Sequence, residues 1–261
     1  YMLQKFPPET LMPGDVICTN DPWMGTGHMF DISVMRPIFS TAKGTLLGYT
    51  MSITHLPDVG GIGFGAAASE IYHEGLRLPI VKLAESGVIN EFLLDLIAIN
   101  VRTPESTIGD LRANIACNEV GGRQLVEFMN EYAIDDLSAL SNAIRNQSEL
   151  AMREKIKDIR NGTYDNSILI EAIDEPITLT CKVEVEDEKI EIDFDGTGGC
   201  VSRGINVPFC YTNAMSLYSI KCLTIPNLPN NEGAAMPVSV SAPEGCLLNA
   251  QPPFPTGARH A

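Results

Sequence analysis

Long apolar runs are missing from this sequence. No stretch approaches the roughly 20 consecutive apolar residues that span a bilayer, and no charged-then-apolar leader opens the chain. Basic charge is scarce: 18 Lys and Arg stand against 33 Asp and Glu, a net charge of −15. That balance repels phosphate backbones and anionic lipid, and so argues against nucleic acid or a membrane surface as a partner. Seven cysteines are present, an odd number with no paired C-x-x-C spacing, which argues against a disulfide frame or a zinc ribbon. They read as reduced thiols of a cytoplasmic protein. A phosphate loop is absent too. The small-residue stretch 59–68 lacks a Lys-Ser/Thr ending, and Gly63-Phe64-Gly65 has no third glycine at the right distance.

What is there is an ordinary globular composition. Of 261 residues, 44% are hydrophobic and 20% charged, enough to bury a sizeable core. The chain opens on Tyr1 and ends on Thr256-Gly257-Ala258-Arg259-His260-Ala261 without a capped helix or closing strand, so it reads as a piece of a larger subunit.

The patterning predicts an α+β fold in three parts. Residues 1–134 hold short strands, a β-hairpin and a first long helix; 135–160 form a connecting helix; 161–261 are β-rich. In the first part, 15–19 is a short strand, and 32–39 and 46–53 are β-prone runs joined by Ser40-Thr41-Ala42-Lys43-Gly44. Thr103-Pro104-Glu105 is a helix start, with Ile108, Leu111, Ile115, Leu125, Phe128, Met129 and Tyr132 recurring on one face. Gly121-Gly122 interrupts that face, either for a close crossing or for a kink. A second helix over 136–159 turns Leu137, Leu140, Ile144, Ala151 and Ile159 inward. Runs at 167–173, 177–186 and 189–194 predict an antiparallel β-meander with one buried face and one acidic, wet face. A helix over 208–223 and a strand at 238–241 follow. The cysteines, Cys117, Cys210 and Cys222 among them, are assigned to packing.

Only four histidines occur, and two stand three residues before an aspartate: His28-Met29-Phe30-Asp31 and His55-Leu56-Pro57-Asp58. Asp21 lies just upstream, in Asn20-Asp21-Pro22-Trp23. Imidazole nitrogen with carboxylate oxygen suits Mn²⁺, Zn²⁺ or Fe²⁺, which polarise a carbonyl or activate water. The spacing fits a hairpin: Asp31 begins one strand, His55 follows the end of its partner, and His28 closes the set from the preceding turn. The plainer reading is that these residues make Asx-turns and surface contacts. His73, between Glu70 and Glu74, is a candidate general base or hydrogen-bonding partner of a ligand, or else an exposed turn residue.

The run 20–31, Asn-Asp-Pro-Trp-Met-Gly-Thr-Gly-His-Met-Phe-Asp, resembles the signature of the hydantoinase B / 5-oxoprolinase family, which includes acetone carboxylase large subunits. The likeness continues through His55-Leu56-Pro57-Asp58-Val59-Gly60-Gly61, Glu70-Ile71-Tyr72-His73-Glu74-Gly75, Asn100-Val101-Arg102-Thr103-Pro104 and Gly109-Asp110-Leu111-Arg112. It implies a B-type subunit of an ATP-dependent hydrolase that opens a small cyclic amide, a hydantoin or lactam. ATP would be bound by a hydantoinase A-type partner. By motif, His28, Asp31 and His55 would hold a divalent transition metal, with Asp21 and Asp58 as further ligands or orienters. Arg102 and Arg112 would steady an anionic intermediate, or simply form ion pairs at helix ends. A carboxylase subunit of the acetone or acetophenone type is the alternative, and a non-catalytic scaffold is a second.

Overall fold

A computed structural model describes residues 1–41, 43–172 and 175–260. In chain order the elements are α1 (Met2–Lys5), β1 (Val16–Thr19), β2 (Asp31–Phe39), β3 (Leu46–His55), β4 (Val81–Glu85), β5 (Val88–Ile89), α2 (Glu91–Ala98), α3 (Pro104–Glu131) and α4 (Ser138–Ile156). Then come β6 (Gly162–Ile170), β7 (Ile177–Glu186), β8 (Lys189–Asp193), α5 (Phe209–Thr224), α6 (Glu232–Ala235) and β9 (Val238–Ser241). This is the expected mixture of helices and two separate sheets. Ala42 of the predicted hairpin loop, Ile173 of the predicted first meander strand and Ala261 lie outside the described residues.

The first sheet runs β3-β2-β1-β4-β5, with each neighbouring pair antiparallel. Its middle strand, Val16–Thr19, is buried along its whole length. Val16, Cys18, Ile32, Val34 and Leu83 join Leu94, Ile97 and Leu111 of the helices in the main core. Burial pushes the Cys18 thiol up to about 12, so this cysteine is inert packing.

α3 lies against β2 and β3 without a break at Gly121-Gly122. The glycines make a close crossing: a Cβ on Gly121 would stand 3.1 Å from Thr50 Cγ2, and one on Gly122 3.4 Å from Ile38 Cγ1. The helix buries the face its apolar spacing predicts only in part, with Leu111 and Met129 buried and Ile108 and Ile115 packed on the core. Thr107, Asn114 and Asn118 are buried along with Leu111 and Met129, whereas Phe128 and Tyr132 are exposed. Asn114 Nδ2 donates to Thr54 Oγ1 at 2.8 Å, and Asn118 Nδ2 donates to Ser52 Oγ at 2.7 Å. Polar side chains can replace apolar ones on a packed face when the facing strand offers hydroxyls at the same spacing. α4 shifts similarly: Ser148, Met152 and Ile156 face inward, while Leu140 and Ile144 are exposed. Cys117 and Cys222 are also exposed, contrary to the packing role expected of them.

The second sheet runs β6-β7-β8-β9. The first three strands are the expected antiparallel meander, but β9 returns parallel to β8. Val185, Ile190 and Ile192 are buried against Met152 and Ile156, leaving the acidic alternate residues outward. Beyond β9 the chain crosses back to the first sheet. Trp23 Nε1 donates to Ala250 O at 2.6 Å, Ile71 N to Pro253 O at 2.8 Å and Thr256 N to Glu74 Oε1 at 2.7 Å. These bonds bring residues 250–260 against the loops at 20–31 and 60–74. No helix among the described residues is long and apolar enough to cross a membrane.

Candidate metal centre

Hairpin register sets the first two members of the site. Asp31, at the start of β2, is the direct cross-strand partner of His55, at the end of β3. His28 reaches them from the turn before β2. Its Nδ1 accepts the Asp31 backbone N–H at 3.3 Å and stands 3.6 Å from Asp31 Oδ2. The Nδ1 lone pair is thus engaged by the Asp31 backbone, and an ion held between His28 and Asp31 would have to take it over from that bond. One donor atom from each of His28, Asp31 and His55 lies within 4.8 Å of the others.

The surroundings set the state of each group. His55 Nδ1 lies 3.1 Å from the Leu56 carbonyl, which can only accept, so Nδ1 carries the proton and Nε2 keeps its lone pair for a ligand. His28 is held neutral, its pKa lowered to about 4 first by burial and then by the nearby Arg259 charge, against the opposing pull of Asp31. Asp31 Oδ2 accepts from Thr26 Oγ1 at 2.8 Å and from Arg259 Nη2 at 3.3 Å, which fixes the carboxylate. Aromatic rings wall the cluster. Phe30 stacks on His55 with centroids 5.4 Å apart, and Phe64 meets the edges of His28 and His55 at 5.5 and 5.3 Å. His260 stacks on Phe64 at 5.4 Å.

The other sequence candidates lie elsewhere. Asp21 accepts from Trp23 N at 3.0 Å and faces Arg77 Nε at 3.7 Å. Asp58 belongs to Arg102: Nη1 donates to its Oδ1 at 2.8 Å, the Arg102 backbone N–H donates to its Oδ2, and Gly60 N adds a bond at 3.0 Å. Burial alone would raise the Asp58 pKa, but these bonds and the Arg102 charge outweigh it and hold the carboxyl below its usual value. The Asp58–Arg102 pair thus ties the loop after β3 to the start of α3. Arg112 pairs with Glu91 at 3.2 Å on the surface, and the ring of exposed His73 hydrogen-bonds Ser69 Oγ at 3.1 Å. None of these five residues joins the His28–Asp31–His55 group.

Sequence pattern does not single out two further residues at the site. Arg259 is buried, donates from Nε to Thr26 O at 2.6 Å and lies 4.2 Å over the Tyr211 ring. Gly27, at φ +95°, leaves it room: a Cβ there would sit 2.6 Å from Arg259 Nε. Glu74 is 1% exposed, and its Oε1 accepts from Thr256 N and Gly257 N, both at 2.7 Å, anchoring the turn that leads to Arg259. Burial raises the Glu74 pKa to about 7 despite these bonds, and its Oε2 and the Thr256 Oγ1 are buried without a partner among the described residues. Arg259 has no local signal at all, being 228 positions from Asp31.

The model of the family described as hydantoinase B/oxoprolinase matches residues 1–261. The chain belongs to that family. A relative from Pseudomonas sp. (strain NS671), provisionally named as the B-type subunit of a D-/L-hydantoinase, is 30% identical over 269 residues, covering 96% of this chain and 45% of the relative. The crystal structure of an ATP-dependent caprolactamase from Pseudomonas jessenii superposes with a TM-score of 0.88 at 30% identity, over 97% of this chain and 45% of that one. A nucleotide-free acetone carboxylase structure, at 20% identity and a TM-score of 0.86 over 98% of this chain and 36% of that one, shares the fold. The chain therefore spans less than half the length of these relatives.

Proposed function

We propose that this chain carries the metal centre of a B-type subunit in an ATP-dependent hydrolase that opens small cyclic amides, hydantoins or lactams. The observation that carries the reading is the His28–Asp31–His55 group, with its donor atoms within 4.8 Å and its imidazoles held neutral or in the ligating tautomer. A His₂-carboxylate set fits a divalent transition metal, Mn²⁺, Zn²⁺ or Fe²⁺. Such an ion supplies Lewis acidity toward an amide carbonyl and makes water a stronger nucleophile at neutral pH. The protein's own part is positional. Leu56 O fixes the His55 ring, Thr26 and Arg259 fix Asp31, and Phe30 and Phe64 pack beside the imidazoles while His55 stays open to solvent.

ATP would act on a separate A-type subunit, in keeping with the lack of a phosphate loop here and with the subunit names of the relatives. The test is elemental analysis of the full-length protein, followed by ATP-dependent ring opening with its partner before and after chelation. About one transition-metal ion per chain, lost together with activity, is expected. A metal-free protein whose stability ignores chelator would reduce the site to a scaffold. ATP turnover that requires bicarbonate would replace ring opening with carboxylation.

A further inference from the structure

We propose that the outward face of α5 is a docking surface for the part of the full-length subunit that lies outside residues 1–261. The inference is independent of the metal reading and rests on the helix itself and on the lengths of the relatives. α5 carries one charged residue, Lys221, among its 16 residues, and no acid at all. A helix this poor in charge is ordinarily covered on every side. Here only Thr212 is buried. The two faces are also reversed. The residues turned toward the protein recur every four positions as Thr212, Ser216, Ile220 and Thr224. Thr212 Oγ1 donates to Leu248 O at 2.6 Å, Thr224 Oγ1 reaches Met152 Sδ at 3.2 Å, and Ile220 packs on the core of the second sheet. Met215, Tyr218, Cys222 and Leu223 face out instead, with Tyr218 59% and Leu223 82% exposed. Spacing at 215, 218 and 222 is that of a packing stripe, not of a wet face.

The helix stands as a ridge between two open clefts. One, of ≈ 360 Å³, is walled by Met152, Leu217, Tyr218 and Ala234. The other, of ≈ 290 Å³, is walled by Val207, Tyr211, Met215 and Leu248. An apolar element laid along the 215–218–222 stripe fills both flanks at once, as the second half of a core does. The occupant follows from length. This chain covers 45% of the hydantoinase-type relative and 45% of the caprolactamase chain, so more than half of each lies outside the matched region. A segment of the same subunit suits the chemistry of the stripe. Surfaces that never open resemble a core cut in half, whereas faces between separately folded partners carry more polar and charged groups.

The test uses the full-length subunit in its native state. Cys222 is pulse-labelled with a small maleimide, read by mass spectrometry and compared with the same thiol in denaturant. Covered by the rest of the subunit, it should label at least about 30-fold more slowly in the native protein, and a smaller protection overturns the proposal. The protection should be the same at low and high protein concentration, and with or without the A-type partner. Protection lost on dilution assigns the face to a second copy, and protection that appears only with the partner assigns it to that subunit. Either result overturns the proposal. A benzophenone amino acid replacing Tyr218 then identifies the neighbour. A photo-crosslink to a peptide of the same chain outside residues 1–261 is expected, and crosslinks confined to residues 1–261 or to another chain overturn the proposal. If that variant does not fold, the wild-type labelling series decides alone.

Discussion

The two sheets of this molecule bury different things. Around β1–β5 and α3 the interior holds Asp15, Thr19, Asn20, His28, Ser33, Asp58, Asn114 and Asn118, nearly all hydrogen-bonded. Asn20 alone donates to Met29 O and Leu76 O at 2.9 Å each and accepts from Leu78 N at 2.6 Å. The core under β7 and β8 is Met152, Ile156, Val185, Ile190, Ile192 and Ala234, with its charge on the wet side. Apolar burial tolerates imprecise partners, whereas a buried polar group demands a partner at a fixed distance and angle. The polar interior therefore behaves as a rigid frame for His28, Asp31 and His55. The second sheet serves as a support that returns residues 250–260 to that frame.

The largest effects should come from breaking the frame at the donors. His28→Ala or His55→Ala should lower metal affinity at least about 100-fold, beyond the 10–100-fold typical of removing a hydrogen-bonding partner of a ligand. Competition with a chromophoric chelator measures this, and retention of wild-type affinity would dissolve the distinction between the sheets. Next comes the anchor of the returning segment. Glu74 has a folded pKa of about 7 against an ordinary 4.5, so between those values the native state binds the extra proton. Its contribution is fully present below pH 4.5 and is lost as pH rises through 7, by about 3 kcal/mol. Glu74→Gln keeps the acceptor for Thr256 N and Gly257 N but cannot ionise. Denaturant unfolding at pH 4.5 and 8 should show the variant gaining on wild type across that window, and parallel pH curves would refute the assignment.

Much of the fold and half of the site are legible in the sequence because they depend on local pattern. Strict alternation at 182–186 and 189–193 marks β7 and β8, and the hairpin spacing places Asp31 opposite His55. Part of the buried face of α3 escapes the same reasoning because periodicity counts apolar residues, and here Asn114 and Asn118 meet Ser52 and Thr54 across the helix–sheet contact. Asp58 resembles a ligand by its His-x-x-Asp spacing, yet the nearest cation, Arg102, comes from 44 positions away and claims it. Arg259 and Glu74 act through contacts between residues far apart in the chain, for which a single sequence has no periodic signal.

The smaller predictions set the two interiors side by side. Asn118 Nδ2 donates to Ser52 Oγ at 2.7 Å, Asn114 O at 2.9 Å and Val34 O at 3.3 Å, so Asn118→Ala strands several buried acceptors and removes volume from a closed contact. The expected cost is about 2 kcal/mol, seen as a lower denaturant midpoint with little change in slope. Glu184, by contrast, lies on the wet face of β7, across from Glu191 on β8 and 3.4 Å from Lys182 Nζ. Truncating it removes an exposed ion pair, worth little in water, and also a like-charge cross-strand neighbour, whose loss is favourable. The two changes oppose each other, so Glu184→Ala should alter stability by less than about 0.5 kcal/mol. A cost near that of Asn118→Ala would mean that the acidic face is covered in the full-length protein, and the second sheet would then be an interface as well as a support.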